Sequence, residues 1–154
     1  MCGIIGISSN KPVSANIISS LKKLEYRGYD SAGISLFSHT NIKTIKSVGK
    51  ISALEKKTKA IRDNGFQGVI GHTRWATHGV VSKNNAHPFA NDDLTLVCNG
   101  IIENYKQIQN RYNEIPNNIK SDTEVSFYFL SYLLNKYEDP NLPLIHISEP
   151  TRPY

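Results

Sequence analysis

The chain opens on an apolar run, CGIIGIS at residues 2–8, of the length of a buried strand. Ile17, Ile18, Leu21 and Leu24 then recur at helical spacing in SANIISSLKKLEY (14–26), which predicts a helix capped by Ser14. RGYD (27–30) reads as a turn. SAGISLFS (31–38) alternates Ala32, Ile34 and Leu36 with small or polar residues, NIKTIKSVG (41–49) alternates likewise, and the two are predicted to pair as strands. ISALEKKTKAIRDN (51–64) predicts a second amphipathic helix stopped by Gly65. GVIGHTRWATHG (68–79) begins as a strand and runs into a polar loop. LTLVCNGII (94–102) predicts a strand interrupted by Asn-Gly, and ENYKQIQNRYNEI (103–115) a third helix ended by Pro116. In SDTE (121–124), Ser121 followed three residues later by Glu124 has the pattern of a capping box. Behind it VSFYFLSYLLNKY (125–137) is apolar nearly all round, which predicts a helix buried between layers.

Strands crowd the first half and the connections are too short for repeated βαβ units, so the pattern predicts an α+β chain, layers of antiparallel sheet with helices outside. A length of 154 residues suits one domain with a real core. The 39% hydrophobic and 20% charged fractions are ordinary for a soluble globular protein. No apolar stretch reaches the roughly 18 residues of a membrane span, and the first residues lack the form of a signal peptide. Cys2 and Cys98 cannot build a disulfide framework and no metal-ligand spacing is present, so no metal is expected and a reducing cytoplasm is. The net charge of +5 comes from scattered lysines without interleaved aromatics, a solvated face rather than a nucleic-acid surface. From Leu144 onward, LIHISEPTRPY has no periodicity and resembles the read-through of a sequencing adapter, so residues 144–154 are expected to be a non-native tail behind a partial domain at 1–143.

Four stretches carry candidate chemistry. Once Met1 is removed, Cys2 is an N-terminal residue whose amine, with an ordinary pKa of about 7.7–8, lies beside a thiol of about 8.5; nucleophile and general base then share one residue. Taken alone, a cysteine there reads first as a small apolar residue opening a strand. HTRWATHG (72–79) gathers Arg74, whose planar fork grips a carboxylate, Thr77 and His78 as further donors, and Trp75 as a wall against water; this density favours a ligand clamp over a plain loop. Asn99 and Gly100 offer an amide and a backbone N–H suited to an oxyanion hole, although locally Asn-Gly reads as a tight turn. Asp122 can meet an ammonium group, or serve only as a favourable charge at a helix N-terminus.

Together CGIIG, LEYRGYDSAGI, HTRWATHG, NAHP, NGIIENY and SDTEV, in this order, closely resemble the glutaminase domain of the glutamine–fructose-6-phosphate aminotransferases. These are class II glutamine amidotransferases of the N-terminal-nucleophile hydrolase type. The resemblance runs from residue 2 to about 137 and implies a four-layer αββα sandwich, C-terminally truncated here. It further implies that Cys2 attacks the glutamine carboxamide to form a thioester, with Asn99 and Gly100 holding the oxyanion. Arg74, Thr77 and His78 would hold the α-carboxylate and Asp122 the α-ammonium, Trp75 would belong to a closing loop, and Arg27 and Gly28 would form a buried supporting turn. The ammonia would serve fructose 6-phosphate in a sugar-isomerase part absent from this chain, without metal or organic cofactor, in a homodimer. Two rival readings are a thiol hydrolase using Cys98 with His72, His78 or His87, and a binding module for nucleic acid or for glutamine alone.

Overall fold

The computed structural model describes residues 2–9, 13–38, 40–59, 61, 66–76 and 80–137. Thr77, His78, Gly65 and the 144–154 tail, all singled out above, lie outside the described residues. The opening run becomes strand β1 (Gly3–Ser8), followed by helix α1 (Ser14–Leu24) and one 3₁₀ turn at Glu25–Arg27. Strands β2 (Ser31–Phe37) and β3 (Ile42–Val48) pair antiparallel, as their alternation predicts. Helix α2 (Ile51–Thr58) and strand β4 (Gly68–Arg74) complete the first half. Behind them come two short strands, β5 (Phe89–Ala90) and β6 (Thr95–Leu96), then α3 (Tyr105–Arg111) and α4 (Asp122–Lys136).

The first four strands form one antiparallel sheet in the order β1-β4-β2-β3, and β5 pairs with β6 in a second. Helix α1 packs on β1 and β4, α2 on β2 and β3, while α4 covers β5 and β6 with α3 beside it. The stack is therefore helix, sheet, sheet, helix. Ile17 and Leu21 of α1 and Leu54 of α2 meet Ala32, Ile34, Leu36 and Val69 in a core from which water is excluded. Burying each such side chain contributes about 1.5–3 kcal/mol. Glu25, at the foot of α1, accepts the Ile51 N–H at 2.6 Å and so caps α2, satisfying a donor the helix cannot pair internally.

Several sequence expectations change here for physical reasons. Ser14 is the first helical residue and Val13 holds the cap position. Helix α2 ends at Thr58, whose hydroxyl bonds back to the Glu55 carbonyl at 2.9 Å. The predicted 94–102 strand shrinks to Thr95–Leu96. All of Ser31–Leu36 is buried, because β2 is covered on both faces rather than one. Helix α4 has the predicted cap, Ser121 Oγ accepting the Glu124 N–H at 3.4 Å. It is an outer layer, however, buried at Asp122, Thr123, Val125 and Phe127, half-buried from Tyr128 to Leu134 and exposed at its end.

The two sheets approach through Gly33. A Cβ there would lie 2.2 Å from the His87 carbonyl oxygen, so only glycine lets the 86–89 segment rest on the sheet. That approach sets the height of the second layer over β4, and with it the site.

Candidate active site

The register places Gly3 opposite Thr73, which brings Cys2, just before β1, to the end of β4. The Gly3 N–H donates to Thr73 Oγ1 at 3.1 Å and fixes that end of the strand. The Trp75 N–H reaches Cys2 Sγ at 3.5 Å, and the thiol lies 3.8 Å from the Trp75 carbonyl. From the second layer, Asn99 Nδ2 donates to the Cys2 carbonyl at 3.2 Å. Cys2, Arg74, Trp75, Gly100 and Asp122 line one pocket of about 30 Å³, room for a water or two rather than for an amino acid. Arg74 and Asp122 are buried in its wall, whereas Trp75 is 47% exposed at its rim, edge-on to Tyr29 at 5.6 Å.

Asp122 Oδ2 accepts the Ile102 N–H at 2.9 Å, which ties the 98–102 segment to the start of α4. Neither Asn99 nor Gly100 has positive φ, so the dipeptide is not the type I′ hairpin turn that its sequence suggests. The Asn99 amide has a second N–H beyond the one given to Cys2, and both Asn99 and Gly100 are exposed.

The RGYD segment packs against the end of β4 beside Cys2. Gly28 is buried, and a Cβ on it would meet the Arg74 carbonyl carbon at 2.6 Å. Arg27 departs from the expected buried turn: it is half-buried and its Nε donates to the hydroxyl of the exposed Tyr26 at 3.3 Å. Asp30, which sequence reasoning missed, has one carboxylate oxygen accepting the Ala76 N–H and the other the Ser31 hydroxyl at 2.8 Å, while its own N–H donates to the Arg74 carbonyl at 3.3 Å. Arg74, Trp75 and Ala76 are thus pinned on both sides. The only sequence signal was an aspartate immediately before a strand.

Two histidines grip the main chain of Cys98. His72 Nε2 lies 3.1 Å from the Cys98 carbonyl oxygen, and the Cys98 N–H donates to His87 Nδ1 at 3.4 Å. The rings stack at 4.3 Å. Burial pushes His72 down to about 4, and burial followed by the neighbouring His72 and Arg74 charges pushes His87 down to about 2. Both are neutral, the form in which one nitrogen donates and the other accepts. The Cys98 thiol is itself driven upward by burial and then by the Asp122 carboxylate. The histidine bonds go to its peptide rather than its sulfur, so the rival dyad of Cys98 with His72 or His87 lacks an activated thiol.

This arrangement makes stability acid-sensitive. An unfolded histidine takes up a proton near pH 6.5, whereas these two resist it in the folded state. Between 6.5 and about 4 for His72, and down to about 2 for His87, the unfolded chain binds more protons. Unfolding free energy therefore falls as pH falls through that window. Urea unfolding at pH 7 and pH 5 should differ by about 2–4 kcal/mol from the pair; equal midpoints would contradict it.

The stack of layers, with its pocket at the head of β1, is the fold of a glutamine amidotransferase domain. Glutamine phosphoribosylpyrophosphate amidotransferase from B. subtilis superposes with a TM-score of 0.64 at 23% identity, over 85% of this chain and 29% of that one. Residues 1–146 match the family described as glutamine amidotransferases class-II, and the chain belongs to that family. It is 42% identical over 142 residues to a glutamine–fructose-6-phosphate aminotransferase (isomerizing) of Bradyrhizobium diazoefficiens, covering 91% of this chain and 23% of that protein. It is 46% identical over 137 residues to the same enzyme of Shouchella clausii, covering 86% and 22%. The chain spans about a quarter of the length of the curated relatives it matches. Among the described residues no helix is long and apolar enough to cross a membrane.

Proposed function

We propose that this chain is the glutaminase part of an enzyme that hydrolyses glutamine through an N-terminal cysteine and delivers the ammonia to fructose 6-phosphate, forming glucosamine 6-phosphate. One observation carries the reading: a thiol, a buried guanidinium, a buried carboxylate and the Gly100 backbone line the same pocket, beside the Asn99 amide. Glutamine has a carboxylate and an ammonium at one end and a carboxamide at the other. Arg74, with Thr77 and His78, takes the first, Asp122 the second, and Cys2 the third.

With Met1 removed, the Cys2 amine accepts the thiol proton as Sγ attacks the carboxamide carbon. The second Asn99 N–H and the Gly100 N–H bind the oxyanion. The protonated amine then returns its proton to the leaving nitrogen, which departs as ammonia and leaves a thioester. Water, deprotonated by the same amine, releases glutamate. Trp75 is the wall that moves to admit the substrate, since the pocket as it stands holds only water-sized groups. The acceptor reaction takes place in a further part of the protein, without metal or organic cofactor. The reading extends to a cytoplasmic homodimer with no nucleic-acid partner, and to residues 1–143 as the native part of the chain.

Intact-mass measurement with glutamine hydrolysis on the full-length protein tests this. The active form should lack Met1, and carbamylating the Cys2 amine should abolish turnover. Full activity with Met1 retained overturns the mechanism.

A further inference from the structure

Lys46 lies in β3 directly opposite Gly33, and cross-strand partners face the same side of a sheet. The segment that rests on Gly33 therefore runs beside Lys46, and its Phe89 receives the ammonium over its ring at 4.6 Å. Here a separate cavity of about 300 Å³ opens, lined by Lys46, Lys83, Phe89, Glu124, Phe127 and Tyr128. Lys46 is half-buried, Lys83 is exposed at the mouth, and neither closes an ion pair within 4.0 Å on Glu124 across the cavity. The walls are aromatic, the rim carries one cation, and a carboxylate faces an amine across a gap.

We propose that this cavity is a modification site, in which Nζ of Lys46 takes an acyl group from a small acyl phosphate held by Lys83. The Nζ lone pair attacks the acyl carbon, and the bond to the phosphate oxygen breaks with its electron pair leaving on phosphate. Lys83 holds that departing dianion. The proton shed by Nζ passes by way of Glu124 to that phosphate oxygen, so the group that leaves is the hydrogen phosphate dianion and Glu124 ends as a carboxylate. The product is a neutral amide lying on Phe89 and Phe127, and Glu124 loses the cation it faces.

The electrostatics favour a free amine. Burial, the largest influence, brings Lys46 from 10.5 down to about 8 even though Glu124 opposes it, with Lys83 lowering it further. The Phe89 ring also favours the ammonium, His87 beneath is neutral, and Lys57 bonds only the Lys46 carbonyl, at 3.0 Å. At pH 7.5 about a quarter of Lys46 is then unprotonated, against about one in a thousand for an ordinary lysine. A weaker base is a poorer nucleophile per free amine, so the net advantage is about tenfold.

Site-resolved mass spectrometry on the full-length protein treated with acetyl phosphate at pH 7.5 tests this. Lys43, exposed on the same strand, is the internal reference. Lys46 should be acetylated about tenfold faster than Lys43, and its rate should level off above pH 8 while that of Lys43 continues to climb. Lys83→Ala should slow Lys46 several-fold with acetyl phosphate and Lys83→Arg should restore it. Neither should alter labelling by the succinimidyl ester of acetate, which carries no phosphate. Lys46 no faster than Lys43 overturns the proposal, as does a Lys83→Ala effect that is absent or equal for both reagents.

Discussion

Replacing Cys2 with alanine in the full-length protein should lower glutamine hydrolysis by roughly 10⁴–10⁶-fold, the scale on which an enzyme loses its nucleophile. The fold should survive, because Cys2 lies before β1, and alanine keeps both the Gly3 N–H bond to Thr73 and the Cys2 carbonyl that accepts from Asn99. Glutamine binding should survive as well, since Arg74 and Asp122 line the pocket independently of the sulfur. The paired control is Cys98→Ala, expected to retain most activity: its thiol is held protonated by burial and by Asp122, and its tethers to His72 and His87 are main-chain bonds. Turnover that survives at Cys2→Ala and disappears at Cys98→Ala would exchange the two cysteines' roles and sink the mechanism. A binding module that senses glutamine without chemistry would instead show no turnover in the parent protein.

Asn99→Ala should cost about 10²–10³ in kcat with little change in KM, the signature of a donor that meets charge only in the transition state. Two effects are confounded in that variant, since the amide also bonds the Cys2 carbonyl at 3.2 Å. Asn99→Asp removes both amide donors at constant size and sets a negative charge where the oxyanion forms. It should be at least as inactive as alanine; a purely structural role would show instead as a lowered urea midpoint. Circular dichroism and the urea midpoint of both variants should remain near the parent's, because Asn99 is exposed.

Elements whose signal is local were legible in the sequence. The β2–β3 pair follows from alternation, and α4 begins at the residue its cap announces. The amphipathic stripe of α1 is the face that meets the core. What failed depended on distant groups. The 94–102 run has strand composition, but its central peptide is held by His72 and His87 and by Asp122 rather than by a ladder. Asn-Gly carries a turn signature that its φ angles do not follow. Arg27 looks like a buried anchor by position, yet it turns toward Tyr26. The candidate site residues could be named because their types match the chemistry, but Asp30 and the histidine grip on Cys98 could not. Each acts on main-chain groups far along the chain, which leaves no pattern in residue type.

The meeting of the two layers at Gly33 has an engineering consequence. Most core interfaces can be loosened or tightened by trading methyl groups. Here the spacer is bare peptide on both sides, so the gap has no adjustable part. Protein engineers raising the heat tolerance of such a domain would find freedom in the helix-facing core around Ile34 and Leu54. At residue 33 even one added carbon would push the second layer off its seat on the first.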